Sequence, residues 1–142
     1  MAPYCTKADL PIPASLAEAY ATDATGESQE TKDARIAAAI DQAQSEVDGY
    51  VGVQYTIPLD PVPKVVRDLT ARIAVYKLAF RQGKQDAYQV DYDGAVRFLR
   101  DVAAGKATLG PEVGGDPDPP REGGGSIQVN DRVFTRETLQ DY

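Results

Sequence analysis

The sequence predicts an all-α fold: a small bundle of three long helices plus a short N-terminal helix, with an extended C-terminal arm containing a short strand or hairpin. Two observations carry that expectation. Apolar residues return at steps of three and four along three separate stretches, the spacing that lines one face of a helix. A Gly/Pro-rich run then separates these stretches from a last segment in which apolar residues flank an Asn-Asp pair. The chain divides accordingly into a helical domain (1–109), a linker (110–126) and an arm (127–142).

The short helix is expected over Leu16 to Tyr20, one or two turns that follow Pro11 and Pro13. The first long helix carries Ile36, Ile40, Ala43, Val47 and Tyr50 on its apolar face. Ser28 or Thr31 supplies its N-cap oxygen, and Gly49 and Gly52 mark its decay. The second begins near Pro63, because proline is favoured in a first turn, and Gly83 closes it. Its apolar face is Val66, Leu69, Ile73, Tyr76 and Phe80. The third holds Tyr92, Val96, Leu99 and Ala103 and ends at Gly105. Between the first two long helices, Pro58, Pro61 and Pro63 forbid a helix and favour an extended strap.

Gly110 to Gly125 contains six of the twelve glycines and four of the ten prolines, a composition that resists packing. As a flexible coil this linker spans roughly 20–25 Å, and fully extended about 50 Å. Beyond it Ile127, Val129, Val133 and Phe134 flank Asn130-Asp131. So short a strand is not stable alone and needs a groove or sheet edge, in its own domain or in another chain.

Composition narrows the function. The 142 residues carry 15 Lys+Arg, 22 Asp+Glu, no His and one Cys, a net charge of -7. Nucleic-acid binders carry a basic footprint, so gripping phosphate is not the expected task. Without His the commonest general base and zinc ligand are gone, and one Cys closes no internal disulfide. Cys5 lacks a His to activate it and reads as a small structural residue. No apolar run approaches the roughly 20 residues of a membrane span, and no signal-peptide pattern opens the chain. A soluble domain without cofactor or metal is expected.

Candidate catalytic pairs fail on geometry. Asp91 and Asp93, like Glu46 and Asp48, stand two apart and diverge on a helix. Asp116 and Asp118 alternate with linker prolines, where nothing rigid holds a metal. Gly123 to Gly125 lacks the Lys-Ser/Thr of a phosphate loop. No enzyme emerges. The eight tyrosines suit contacts instead, since the ring buries area while the hydroxyl finds a partner. Tyr50, Tyr76 and Tyr92 fall on apolar faces and read as core; Tyr55, Tyr88 and Tyr142 are interface candidates.

Charge is distributed unevenly. Residues 1–60 hold three bases and ten acids, 61–110 nine bases and five acids, and 111–142 three bases and seven acids. The balances are -7, +4 and -4. Lys64, Arg67, Arg72, Lys77 and Arg81 share one helix, on the side opposite its apolar face, and read as a solvated or interface face. A protomer with an acidic first half and a basic second half can dock head to tail with copies of itself, and such contacts close into a ring when the rotation permits. The candidate subunit-interface residues are Arg67, Arg72, Lys77, Arg81, Asp33, Asp41, Glu46 and Tyr55.

Several runs resemble the neck proteins of Mu-like phages and prophages, a head-to-tail connector family. They are Tyr4-Cys5-Thr6-Lys7-Ala8-Asp9-Leu10, Asp48-Gly49-Tyr50-Val51, Tyr55-Thr56-Ile57-Pro58-Leu59 with Pro63, and Asp68 through Leu78. Tyr92 through Gly105 with Leu109, and Arg132 through Leu139, are similar as well. The Tyr-x-x-Pro-Leu strap before an Ile-Ala-x-Tyr helix is the most specific element.

The resemblance implies a head-completion or adaptor protein of the virion neck, assembled in the host cytoplasm as a ring of usually twelve subunits below the portal. Such a ring extends the DNA channel and docks stopper or tail-terminator proteins. In related connectors the C-terminal segment reaches the portal. Ile127, Val129, Arg132, Val133, Phe134, Arg136 and Leu139 are therefore the expected portal-binding arm. Acidic walls would let genomic DNA slide through the lumen without specific binding. The alternative is a free acidic phage-encoded regulatory or inhibitor protein that occupies a basic site on a host protein.

Overall fold

The structure, a computed structural model, describes residues 2–110. Four helices form: α1 (Ala14–Ala21), α2 (Gln29–Val51), α3 (Lys64–Arg81) and α4 (Gln89–Ala103), with 3-10 turns at Lys7–Asp9 and Gln85–Tyr88. The described part is all-helical and includes no strand. The arm expected at 127–142, its strand or hairpin and all but the first residue of the linker lie outside the described residues. None of the described helices is long and apolar enough to cross a membrane.

The helix boundaries follow local chemistry. Ser28 caps α2 by accepting from the Thr31 backbone N–H at 3.3 Å. Pro63 stands immediately before α3, where its missing N–H costs no helical hydrogen bond. Both α3 and α4 end in a glycine with positive φ, Gly83 at 66° and Gly105 at 72°. At each, the following N–H reaches back to close the helix: Lys84 to the Ala79 carbonyl at 2.9 Å, Lys106 to the Asp101 carbonyl at 2.8 Å.

α3 is the central helix, with α1, α2, α4 and both 3-10 turns packed against it. The expected single apolar face is corrected here. Val66, Leu69 and Ile73 are buried, but so are Thr70, Ala71, Ala74, Val75, Leu78 and Ala79 around the rest of the helix. Phe80 is not core; it is 61% exposed in the last turn, beside Tyr76. The reason is steric. Small alanines let neighbours approach α3 from several sides, and burial then no longer follows one three-four stripe. Thr70 is tolerated at the centre because its hydroxyl donates to the Val66 carbonyl at 2.8 Å.

The connection from α2 to α3 also differs from the extended strap. Gln54 and Tyr55 both donate backbone N–H groups to the Val51 carbonyl, and the peptide bonds before Pro58 and Pro61 are cis. The segment turns after Val51 and bends at 57–58 and 60–61, and Leu59 reaches the core. Tyr4 fastens it: its hydroxyl donates to Asp48 at 2.5 Å and accepts the Leu59 N–H at 3.0 Å. The Tyr4 backbone N–H donates to Gln44 Oε1 at 3.0 Å. One buried tyrosine thus ties the N-terminal segment to α2 and to the α2–α3 connection.

Candidate functional site

The exposed large apolar side chains fall into two pairs. Val53 (64% exposed) and Ile57 (44%) lie in the connection that leads into α3. Phe80 (61%) and Val90 (83%) lie where α3 ends and α4 begins. Ile57 rests over Gly52, where an added Cβ would stand 3.4 Å from Ile57 Cδ1. At the other end Tyr76 stacks on Tyr92 with ring centroids 4.1 Å apart and donates its hydroxyl to Gln89, the residue before Val90. The 18 residues of α3 separate the two pairs, about 27 Å of helix. Isolated exposed apolar residues are ordinary; here two large ones are left exposed near each end of the same helix.

The charged candidates sort into two groups. Lys77 pairs with Glu46 at 2.8 Å, and Glu46 also accepts from the Tyr92 hydroxyl at 2.8 Å. Arg81 pairs with Asp23 at 2.6 Å. Asp33 pairs with Lys7, which also reaches Glu18, both at 2.7 Å. These four candidates are engaged within the chain. The basic face expected along α3 is accordingly broken up: Lys77 and Arg81 turn toward neighbouring elements. Arg67, Arg72 and Asp41 are exposed and make no ion pair among the described residues. Arm residues Ile127, Val129, Arg132, Val133, Phe134, Arg136 and Leu139 lie outside the described residues, as does Tyr142.

Tyr55 and Tyr88 also serve the fold. Tyr55 is half-buried against the core, and its hydroxyl accepts the Leu109 N–H at 3.3 Å. Tyr88 meets Tyr20 edge to face, their hydroxyls 3.1 Å apart. Burial, and then the bond to Tyr20, push the Tyr88 hydroxyl up to about 12. Tyr92 is likewise pushed up to about 12 by burial and by Glu46.

Two further features bear on chemistry. Cys5 is buried, and burial, aided by Asp9, pushes its thiol up to about 11 against the pull of Arg67. Such a thiol is protonated at neutral pH and is no nucleophile there. Among the described residues no three of His, Cys, Asp and Glu stand close enough to hold a metal. Between the N-terminal segment and α2 an open groove of about 560 Å³ has Pro3, Cys5, Ile36, Ala37 and Ile40 along its floor. Thr6, Lys7, Asp33, Asp41 and Gln44 are its polar lining. Sequence reasoning missed the groove and the apolar pairs. Val53 and Val90 stand off every helical stripe, and the groove joins segments 26 or more residues apart.

The class these features define is a small all-α bundle with exposed apolar side chains near both ends of its central helix. The family model described as Bacteriophage Mu, Gp36 matches residues 4–129. The Mu-like prophage FluMu protein gp36 of Haemophilus influenzae is 31% identical over 116 residues, covering 82% of this chain and 81% of that protein. The chain belongs to the Mu-like phage Gp36 family.

Proposed function

We propose that this chain is a structural protein of the phage particle and not an enzyme: a head-tail adaptor that forms a ring beneath the portal. The ring extends the DNA channel, docks stopper or tail-terminator proteins on its lower face and sits in the neck between capsid and tail. The observation that carries the reading is the placement of Val53 and Ile57 at one end of α3 and of Phe80 and Val90 at the other. Different patches at opposite ends of one helix suit heterologous, head-to-tail contact, the kind that closes into rings. Membership of a Mu-like phage family supports a place in such a particle. Arg67, Arg72 and Asp41 are the exposed charges left to set orientation, since the other candidates are paired within the protomer. The arm at 127–139 reaches the portal, and DNA passes an acidic lumen without being held.

Sedimentation velocity and mass photometry of the full chain, with and without portal, test the reading. Rings or portal co-assembly are expected, and Phe80→Ser weakens assembly by roughly tenfold or more, the loss of a contact worth about 1.4 kcal/mol. A chain that stays monomeric and ignores portal at every concentration overturns it. So does a stable complex with a basic host protein in place of portal.

A further inference from the structure

The apolar floor of the groove between the N-terminal segment and α2 has no role in the ring reading, which uses only Asp41 at its rim. Its floor is apolar, and most of its polar lining is already engaged. Gln44 accepts from the Tyr4 backbone, and Lys7 and Asp33 pair with each other. Asp41 alone among the charged lining residues makes no side-chain hydrogen bond or ion pair among the described residues. Small-molecule sites hold several convergent polar groups, and this one offers a single free carboxylate over an apolar trough. The chemistry that fits is a short apolar peptide carrying a cation.

The chain contains one such segment outside the described residues: Arg132-Val133-Phe134-Thr135-Arg136. Its two apolar residues match the floor, and an arginine on either side matches Asp41 on a helix that holds five acids against two bases. The span also fits. The described chain ends at Gly110, and the preceding Leu109 donates to Tyr55 just beyond α2. From Val51 back to Asp41 is about 15 Å of helix, inside the roughly 23–28 Å coil reach of the 22 residue steps from Gly110 to Arg132. A tethered segment at that reach sees its site at an effective concentration in the mM range, far above that of a second copy in dilute solution.

We propose that in the free protomer residues 132–136 dock in the groove between the N-terminal segment and α2 of the same chain, with arginine at the Asp41 rim. A portal that takes the arm then has to displace it from this seat. The docking itself stands whether or not the chain forms rings.

The test uses the full chain at low micromolar concentration without portal. Ala37 is exposed on the groove floor, so Ala37→Cys with Val133→Cys places two thiols in reach; both this pair and its control carry Cys5→Ala, because Cys5 lines the same floor. Under mild oxidation this pair is expected to form an intrachain disulfide at least about tenfold faster than Arg97→Cys with Val133→Cys, whose first site is exposed on α4 outside the groove. Adding Asp41→Lys is expected to slow it several-fold, read on non-reducing gels and by intact mass. Equal rates for the two pairs, insensitivity to Asp41→Lys, or products that are solely interchain each overturn the proposal. Hydrogen exchange of 132–136 in the unmodified chain gives a cysteine-free reading: slowed amides support docking, and random-coil rates refute it.

Discussion

Tyr4→Phe removes one oxygen atom and two hydrogen bonds from the point where three segments meet. The Tyr4 hydroxyl donates to Asp48 and accepts the N–H of buried Leu59. Without it the Leu59 N–H is left unpaired, which costs roughly 1–3 kcal/mol. The bond to the Asp48 carboxylate is charge-assisted and worth about 1.5–3 kcal/mol, at the lower end here because Asp48 is half-buried and water can replace the donor. Together the loss is about 3 kcal/mol, a fall in Tm of roughly 12–24 °C for a domain near 100 residues. Urea and thermal unfolding followed by far-UV circular dichroism measure it. Tyr76→Phe is the control. Its hydroxyl donates to Gln89 at 3.1 Å in a half-buried position, and its removal costs less than about 1 kcal/mol. Burial and Asp48 also raise the Tyr4 hydroxyl to about 12 from 10.0, so its stabilisation is complete below pH 10 and is lost as pH rises toward 12. Tyr4→Phe therefore flattens the alkaline limb. A loss below about 1 kcal/mol with unchanged helicity would refute the three-way clamp.

Three more substitutions test the packing and the electrostatics. Leu78→Ala, at a fully buried position of α3, is expected to cost about 2–5 kcal/mol, whereas Phe80→Ala costs less than about 1 kcal/mol; reversed values in urea unfolding would restore a single apolar face ending at Phe80. Glu27 is held down at about 2, from 4.5, chiefly by its hydrogen bonds with Arg35. Its contribution is fully present above pH 4.5 and is lost as pH falls toward 2, so Glu27→Gln lowers stability at pH 7 and reduces the slope of stability between pH 4.5 and 2. Asp9, Glu18 and Asp33 are also lowered and keep part of that slope.

Helix existence and ends were legible because they depend on local chemistry. Ser28, Pro63, Gly83 and Gly105 each do in the structure what their residue type permits at a helix terminus. The bend before α3 was not legible. It depends on Tyr4, more than 50 residues from Leu59, and no local pattern announces that contact. The burial of Leu78 and Ala79 was hidden for a related reason. A periodicity reading assumes one wet side, and α3 has neighbours on several. At the candidate site the charged residues were easy to name, but their partners were not. Whether Lys77 faces a neighbouring copy or Glu46 is decided by how α2 and α3 pack, not by either residue's position in the sequence.

That packing changes what the uneven charge distribution can do. Two ion pairs, Lys77–Glu46 and Arg81–Asp23, already join the basic stretch to the acidic one inside a single protomer. They hold α3 against α2 and against the α1–α2 connection, so part of the asymmetry serves folding. Seven of the nine bases in 61–110 remain without an ion pair among the described residues, and the polarity between the two stretches survives. Exposed charges of this kind are worth little individually in affinity but strongly disfavour wrong orientations. The affinity of the proposed head-to-tail contact then has to come from apolar burial, and Val53, Ile57, Phe80 and Val90 are the large apolar side chains the described fold leaves exposed. In the proposed ring, their separation along α3 is what would let one copy offer one pair while receiving a neighbour at the other, which a single patch could not do.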